Sequence, residues 1–479
     1  MEQSRTRNFI DNASEALDNS NLQEALDKMK GGFVVRRSEA RFRLPEFDDI
    51  CNQAREIKDH TLAHLDFYLE RFERKVKEQG GHVHWCATPE DARQAILAIC
   101  RDLDAKTVTK GKSMIGEEIG LNDFLEENSI EPIETDLGEY IIQLRGESPS
   151  HIIAPAIHVL KHQVAEAFYE THHQFDSERP LEEPRALLDE AREVLRQKFI
   201  DADVGITGAN FLIAETGTSV IVTNEGNGDL TQTIPKAHVV IASLEKVVPT
   251  LEDATTISRV LARSATGQEY SVYTTFSTGP RRPGDPDGPE QYHVILLDNG
   301  RSKMVGSEYQ AMLRCIRCGA CLNHCPVYGS IGGHAYGWVY PGPMGSVLTP
   351  ALIGMDEAGH LPNASSFCGR CEEVCPMRIP LPKMMRHLRE SEFEGNVGPG
   401  VMRAGIKIWA FYAKRPWLYH ALVKMQFRVL GALGRRKGRF RRVPGGAGWT
   451  VHRDFPAPQA GGTFQAQWSA CGGRRAPST

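Results

Sequence analysis

Seven of the eleven cysteines lie within residues 315–375, and their spacing constrains this 479-residue chain more than any other feature. The first group, Cys315, Cys318, Cys321 and Cys325, reads C-x2-C-x2-C-x3-C-P. This spacing is typical of bacterial [4Fe–4S] proteins, in which one tight loop wraps its thiolates around a cluster. A zinc site usually needs two cysteine pairs separated by a dozen or more residues. The run therefore predicts an iron–sulfur cluster.

The second group, Cys368, Cys371 and Cys375, reads C-x2-C-x3-C-P, with Ser365 where a further cysteine would stand. In two-cluster proteins the last cysteine of a run binds the other cluster. The predicted ligands are Cys315, Cys318, Cys321 and Cys375 for the first cluster, and Cys325, Cys368 and Cys371 for the second. Three outcomes stay open for the second site: a [4Fe–4S] cluster completed by serine, water or a partner's ligand, a [3Fe–4S] cluster, or no cluster. We favour a second cluster because Cys325 and Cys371 would otherwise have no role, although an alkoxide from Ser365 suits sulfide-rich iron poorly.

The remainder of the sequence has the composition of an ordinary globular protein. Hydrophobic residues make up 41% of the chain, which is enough for several cores and excludes wholesale disorder. No apolar run approaches the length of a membrane-spanning helix, and the first residues lack the apolar core of a secretion signal. We therefore expect a cytoplasmic protein.

Hydrophobic periodicity indicates helices over residues 1–80 and then alternating strands and helices. Predicted strands cover residues 82–86, 107–110, 131–135, 140–144, 203–207, 211–215, 219–223 and 239–243. Predicted helices open at Thr88-Pro89 and include residues 117–128, 184–197 and segments of 151–168. Residues 270–277 and 292–297 flank a turn-rich loop and are expected to form a hairpin. The alternation predicts an α/β domain with a largely parallel sheet.

Polar loops follow several predicted strands, where parallel sheets place ligands. The loop 110–113 (Lys-Gly-Lys-Ser) could hold an anion or an acyl carboxylate, although solvated lysines are the plainer interpretation. Glycine-containing loops at 205–210, 215–218 and 223–227 are further candidates. Glu215 and Glu225 are the only carboxylates that we predict to act chemically there.

Three histidines also invite a metal interpretation, because His158 and His162 are one helical turn apart and His151 precedes them. No cysteine or carboxylate completes the set in the sequence. We therefore expect solvated helix histidines rather than a metal site.

Six stretches together resemble the lactate-utilization protein B family, and the resemblance covers nearly the whole chain. They are residues 57–73, 81–86, 107–122, 205–227, 315–345 (CIRCGACLNHCPVYGSIGGHAYGWVYPGPMG) and 365–382 (SSFCGRCEEVCPMRIPLP). The resemblance implies an α/β domain similar to the sugar-phosphate isomerase and CoA-transferase-like superfamily, followed by an α-helical ferredoxin-type domain. It also implies that the seven clustered cysteines hold two clusters.

The family further implies a three-protein complex that oxidises L-lactate to pyruvate and passes electrons toward respiration. Its other members would be a cysteine-rich electron-transfer protein and a second protein with a lactate-utilization domain. Two alternatives stay open. One is an acyl- or CoA-handling enzyme with Glu215 or Glu225 as nucleophile and structural clusters. The other is a scaffold that only assembles its partners.

Charge is distributed unevenly along the chain. The net charge is −5, but residues 401–479 hold 15 Lys and Arg and one acid, so the preceding 400 residues carry −19. Residues 417–433 are predicted to form a helix, and a basic run follows at 435–442. We expect this segment to dock on an acidic partner, or else on the inner membrane surface. Nucleic-acid binding is not expected, because no recognition fold accompanies it.

These observations divide the chain into five regions. They are an N-terminal helical region (1–69), a lactate-utilization α/β domain (70–300), a ferredoxin-type domain (301–395), a basic amphipathic helical region (396–443) and a tail (444–479) that is expected to be disordered in isolation. The leading hypothesis is an electron-transfer subunit. No dinucleotide-binding fingerprint is evident, so NAD is not implied.

Overall fold

The chain forms a six-stranded sheet in which all strands are parallel. Its two middle strands are Val204–Gly208 and Ala237–Ser243. The computed structural model describes residues 4–398, 400–434, 436–443, 450, 453–458 and 462–470. The chain divides into two units, Met1–Val397 and Gly398–Thr479. The first unit contains the sheet and all of the clustered cysteines.

The strands of the first unit fall into two sheets. They are β1 (His82–Cys86), β2 (Thr107–Gly111), β3 (Glu131–Glu134), β4 (Val204–Gly208), β5 (Phe211–Ile213), β6 (Thr218–Thr223), β7 (Ala237–Ser243), β8 (Val247–Val248), β9 (Tyr273–Ser277) and β10 (Gln291–Leu297). The parallel sheet has the order β1-β10-β7-β4-β2-β3, and a second sheet has the order β8-β5-β6-β9. The predicted parallel α/β domain is confirmed.

Helices cover both faces of the parallel sheet and continue into the cysteine-rich region. They are α1 (Phe9–Asp18), α2 (Ser20–Phe42), α3 (Phe47–Ala63), α4 (Leu65–Glu78), α5 (Pro89–Asp102), α6 (Met114–Glu118), α7 (Leu121–Glu127), α8 (Leu137–Leu144), α9 (Lys161–Thr171), α10 (Pro184–Ile200), α11 (Asn227–Thr233), α12 (Leu251–Ala265), α13 (Ala320–Asn323), α14 (Tyr328–Ile331), α15 (Gly342–Ile353), α16 (Met355–Ala358), α17 (Arg370–Glu373) and α18 (Leu381–Glu394). Side chains of α5 and α7 form one apolar core with the sheet, and side chains of α4 form the other. Strands that are buried on both faces explain the continuous apolar runs in the sequence.

Local signals place several of these helices. The hydroxyl of Thr88 accepts a hydrogen bond from the Asp91 backbone N–H at 3.2 Å, and the Asp91 carboxylate accepts one from the Thr88 N–H at 2.9 Å. With Pro89 at its first position, α5 begins where the sequence predicts. The predicted helix over 117–128 is interrupted, because Gly120 adopts φ +61° and separates α6 from α7.

One prediction in the stretch 136–168 is wrong, and another holds for only part of its range. Residues 140–144 are not a strand but the end of α8, whose first turn is capped by the Asp136 carboxylate. Asp136 accepts a hydrogen bond from the Gly138 N–H at 3.0 Å, and this cap commits the apolar residues that follow to a helix. Residues 151–160 are largely irregular, and helix begins only at Lys161.

The expected hairpin of residues 270–277 and 292–297 is also wrong. Strand β9 pairs antiparallel with β6 in the second sheet, whereas β10 pairs in parallel with β1 and β7 in the first. The turn-rich loop therefore joins two sheets. Loop composition predicts that the chain turns but not which strand the next segment will pair with.

The N-terminal helices pack against the cysteine-rich region rather than forming a separate layer. The Thr6 hydroxyl donates to the Glu357 carbonyl at 2.7 Å, and the Arg37 guanidinium donates to the Val374 carbonyl at the same distance. Leu26 and Phe47 share one apolar core with Tyr328 and other residues of that region. The N-terminal helices and the cysteine-rich region therefore bury each other's apolar side chains.

The second unit contains α19 (Gly400–Ala413), α20 (Pro416–Gly434), the short strands β11 (Arg439–Phe440) and β12 (Phe455–Pro456), and α21 (Phe464–Ala470). The predicted helix over 417–433 matches α20. No side chain of α19 is buried, and Trp409 and Trp417 are 63% and 73% exposed. The first residue of the basic run, Arg435, and much of the tail lie outside the described residues. None of the helices that the structure describes is long and apolar enough to cross a membrane.

Candidate functional site

The cysteines gather into two groups that follow the crossed pattern of the sequence prediction. One small cavity is lined by Cys315, Cys318, Cys321 and Cys375. A second is lined by Cys325, Cys368 and Cys371, together with Ser365 and Ser366. The structure thus brings Cys375 to the first group and Cys325 to the second, although each is adjacent in sequence to the other group.

The two cysteine loops have the same backbone conformation. Arg317 and Phe367, each directly before a cysteine, have φ +59° and φ +54°. Gly319 and Gly369 follow with φ +69° and φ +81°, and each starts a four-residue helix. Positive φ at a residue with a side chain is uncommon and is held only where the surroundings demand it. The loops are therefore a structural repeat.

Gly319 is required on two grounds. Its φ favours glycine, and a Cβ there would lie 3.2 Å from the His151 ring and from the Ile153 side chain. The histidine that the sequence suggested as a solvated helix residue is therefore packed against the first cysteine loop, and its side chain is buried. Its Nε2 lies 3.0 Å from the Asn323 amide oxygen, and burial lowers the pKa of His151 to about 4.

The other two histidines do not form a pair on one helix. His158 precedes α9 and lies 2.6 Å from the Glu147 carboxylate, whereas His162 is in the first turn of α9. The expectation of solvated helix histidines is wrong for His151 and His158. Over the described parts of the chain, no three His, Cys, Asp or Glu side chains converge closely enough to bind a single metal ion.

The cysteine groups nevertheless fit an iron–sulfur cluster, because a cluster lies between its ligands and holds their sulfurs farther apart than one ion does. Burial raises the pKa of the Cys375 thiol to about 11, and the neighbouring Cys315 acts in the same direction. The pKa of Cys321 rises well above its usual value because of burial and the adjacent cysteines. Soft sulfur donors crowded together without a carboxylate suit iron–sulfur chemistry better than a hard cation. Cys318, Cys371 and Cys375 are buried, whereas Cys368 is exposed.

A larger cavity of about 160 Å³ opens at the carboxyl end of the parallel sheet; we call it the strand-end cavity. Chain order reverses direction between β2 and β4 in this sheet, and ligands of parallel α/β folds bind at such reversals. Its polar and charged lining includes Lys112, Asp136, Glu139, Lys246, Arg317 and Tyr340. The cavity therefore joins the strand ends to the first cysteine loop.

The two lysines of the loop 110–113 have different environments. The Lys110 ammonium is fully buried and lies 2.5 Å from the Glu117 carboxylate and 2.7 Å from that of Glu134. These two carboxylates neutralise the Lys110 ammonium inside the protein. Lys110 is therefore neither a solvated lysine nor free to bind an anion. Lys112 lines the cavity and pairs with Asp136 at 3.1 Å and with Glu225 at 2.9 Å.

The carboxylates singled out from the sequence do not line the cavity. Glu215 accepts a hydrogen bond from the Leu251 N–H at 2.8 Å and so caps α12. Glu225 is half exposed and reaches the cavity only through its ion pair with Lys112. Asp136 and Glu139 line the cavity instead, and sequence reasoning missed them because they fall between the two predicted strands 131–135 and 140–144. Burial and the nearby carboxylates of Glu134 and Asp136 raise the pKa of Glu139 well above its usual range.

The wall nearest the cysteines is built on a buried network of charges. The Arg317 guanidinium lies 4.4 Å from the centre of the Tyr340 ring, whose hydroxyl donates to Glu118 at 2.6 Å. Glu118 pairs with Arg301 at 2.6 Å. Burial alone would raise the pKa of Glu118, but Arg301, together with the hydrogen bonds from Tyr340 and Asn299, outweighs burial and the pKa is lowered.

Glu245 completes this network and lies 3.3 Å from Arg301 and 3.7 Å from Arg317. Burial opposes ionisation, yet the surrounding cations lower the pKa of Glu245 to about 2. The position of Arg317 between two motif cysteines was the one sequence signal that could have revealed this wall.

Comparison with known proteins agrees with this division of the site. A family model for the LUD domain matches residues 69–297, and one for the 4Fe-4S dicluster domain matches residues 311–379. "Lactate utilization protein B" of Bacillus velezensis is 42% identical over 460 residues, which cover 95% of each chain. The protein of the same name from Bacillus subtilis is 40% identical over 457 residues, covering 94% of each chain. A solved DUF162-family protein from Deinococcus radiodurans covers 49% of this chain and 98% of its own at 14% identity; its TM-score of 0.28 supports no argument.

Proposed function

Because the chain belongs to the lactate utilization protein B family, we propose that it is the iron–sulfur electron-transfer subunit of a complex that oxidises L-lactate to pyruvate. The complex would hold two further subunits, a cysteine-rich electron-transfer protein and a second protein with a lactate-utilization domain, and would pass electrons toward respiration. The observation that carries the proposal is the crossed grouping of seven cysteines in two cavities beside a LUD domain.

Cys315, Cys318, Cys321 and Cys375 would hold one cluster, and Cys325, Cys368 and Cys371 the other. When bound, such clusters supply one-electron transfer. The surrounding residues exclude water from the first site, because Ile152, Met344 and Leu381 line the same cavity and are buried. Cys368 is exposed, so the second site is the one nearer to an external electron partner.

The second unit would dock on an acidic surface of a partner subunit. Residues 400–434, which include helices α19 and α20, contain six Lys and Arg and no acid, and they expose large apolar side chains such as Trp409 and Trp417. Large exposed apolar areas rimmed by charge mark interaction surfaces. Electrostatic attraction would speed this docking and make it dependent on salt.

Electron transfer from lactate is tested with the anaerobically purified chain and the two partner subunits. We expect acid-labile sulfide and about seven to eight irons per chain. Addition of L-lactate to the assembled complex should change the electron paramagnetic resonance (EPR) signal of this chain's clusters, and D-lactate serves as the matched control. Stoichiometric zinc without sulfide would contradict the cluster assignment. An unchanged signal with intact clusters would leave the chain as a scaffold.

Docking of the second unit is tested by reversing three charges, Arg436, Arg441 and Arg442, to Glu. We expect co-purification with the partner subunits at low salt to fall by about tenfold or more, because like charges would face the acidic partner. The matched control reverses three exposed cations of the first unit, Lys28, Lys77 and Arg185, and should co-purify normally. Unchanged co-purification with lost pelleting on anionic vesicles would assign the surface to a membrane instead.

A further inference from the structure

We infer that the strand-end cavity binds the carboxylate of a small 2-hydroxy or 2-oxo acid, with Arg317 and Lys246 receiving that carboxylate. The anion site itself rests on the charges and burial of the cavity wall. The choice of a hydroxy acid rests on the proposed function.

The size of the cavity selects a small ligand. Its volume of about 160 Å³ is below the roughly 300–1,000 Å³ of pockets that take drug-sized molecules. A three-carbon acid fits such a space.

Arg317 supplies the first cationic group without a full partner. Its side chain is only 10% exposed, and its Nη1 is buried without any hydrogen-bond acceptor. The nearest carboxylate, Glu245, lies 3.7 Å from the other terminal nitrogen and is shared with Arg301. A buried guanidinium nitrogen without an acceptor is costly, and a ligand carboxylate would satisfy it with a charge-assisted hydrogen bond once the Arg317 side chain turns toward the cavity that it lines.

Lys246 supplies the second cation on the same wall. It is 8% exposed and lines the cavity, and it forms no ion pair with a carboxylate in the described part of the chain. Together the two cations give this wall a positive charge that Glu245 alone does not neutralise. An anion that enters the cavity is therefore attracted to the wall beside the first cysteine loop.

The strand-end wall has the opposite character and sets the orientation of the ligand. Lys112 is already paired with Asp136 and Glu225, so it offers little free positive charge. Asp136 adds acceptor oxygens there, whereas the raised pKa of Glu139 favours its protonated form, which can donate. A ligand carboxylate is disfavoured beside Asp136, whereas a C2 hydroxyl can donate to Asp136 and a C2 carbonyl can accept from Glu139. The acid would therefore lie with its carboxylate toward Arg317 and its C2 oxygen toward the strand ends.

A competing explanation is that Arg317 and Lys246 only balance the negative charge of a cluster held by the adjacent cysteines. That explanation predicts effects on cluster potential and none on ligand binding. Binding measurements on the isolated full chain therefore separate the two explanations.

The test is isothermal titration of the anaerobically purified, cluster-containing chain with L-lactate, pyruvate and lactamide. Lactamide keeps the hydroxyl and the shape of lactate but lacks the carboxylate charge. We expect lactate and pyruvate to bind and lactamide to bind about tenfold or more weakly, because charge-assisted hydrogen bonds are lost. This comparison needs no variant and so does not depend on folding of an altered chain.

Two variants then locate the carboxylate. Arg317→Gln and Lys246→Met should each weaken lactate binding by about tenfold or more. Arg317→Lys should weaken it less than Arg317→Gln, since one charge is kept. The matched control is Arg281→Gln, an exposed arginine whose loss should leave affinity unchanged. Cluster absorbance and EPR spectra report whether each variant keeps its clusters.

Each outcome decides for or against the inference. Absence of lactate binding, equal affinity for lactamide, or unchanged affinity in both variants would overturn it. The proposed function is judged separately by the EPR response of the complex. A lactate-dependent EPR change without binding to this chain would overturn the inference and retain the function. Lactate binding to this chain without an EPR change in the complex would retain the inference and overturn the proposed function.

Discussion

Replacement of Cys375 by alanine is expected to remove the same cluster as replacement of Cys318 by alanine, and to leave the other cluster in place. The reason is that Cys375 lines the cavity of the first cysteine group, although it belongs to the second motif in sequence. Each variant should lose about four irons and four sulfides per chain. Iron and sulfide analysis gives the loss, and EPR spectra identify which cluster is gone.

The complementary pair sharpens this prediction. Cys325→Ala and Cys371→Ala should both remove the second cluster, because these two cysteines share the other cavity. The matched control is Cys100→Ala, a buried cysteine in the core of the parallel sheet that should keep all of its iron. If Cys375→Ala instead resembled Cys371→Ala, the crossed assignment would be wrong and each motif would serve its own cluster.

Replacement of Arg301 by methionine is expected to lower the free energy of unfolding by about 3–5 kcal/mol. Arg301 and Glu118 are 1% and 0% exposed, and their charged groups are 2.6 Å apart. Removal of one partner leaves a buried charge without its counter-ion, which costs more than the pair contributes when intact. Urea denaturation of the anaerobic chain, followed by circular dichroism, measures the change.

A surface pair provides the comparison. Arg281 and Glu290 are 46% and 59% exposed, so Arg281→Met should change the same quantity by no more than about 1 kcal/mol. A double variant, Arg301→Met with Glu118→Leu, should recover part of the loss because the buried Glu118 charge is no longer left without its counter-ion; Glu245 still loses its contact with Arg301. Equal losses of unfolding free energy in Arg301→Met and Arg281→Met would contradict the prediction. They would show that the buried pair contributes no more to stability than the surface pair.

Much of the parallel sheet could be predicted from local pattern. The strand predicted at 107–110 is Thr107–Gly111, and the one at 82–86 is matched residue for residue. Residues 108–111 of β2 are buried, whereas β1 lies at the edge of the sheet and only its Cys86 is buried. Both strands were predicted from the alternation of short strand-like segments with helical ones. The grouping of cysteines also followed from spacing, while their role as cluster ligands stays a prediction for the experiments above.

The cavity wall could not be predicted, because its contacts join residues far apart in sequence. Tyr340 donates to Glu118 across 222 positions, and no local pattern encodes such a pair. The error at residues 140–144 has a different cause. Tyr-Ile-Ile favours a strand by propensity, but the Asp136 cap and packing against α9 and α10 make it a helix. Glu139 lies directly before these residues, in the first turn of the same helix.

The contact between Thr6 and Glu357 has a consequence for how the chain is made. Glu357, the partner of Thr6, is synthesised 351 residues after Thr6. At about 5–20 residues per second, this takes about 18–70 seconds. Throughout that interval the apolar faces of the first helices lack the surface that will bury them. The first helices therefore leave the ribosome with apolar surface exposed, and this surface stays open to aggregation until the cysteine-rich region emerges.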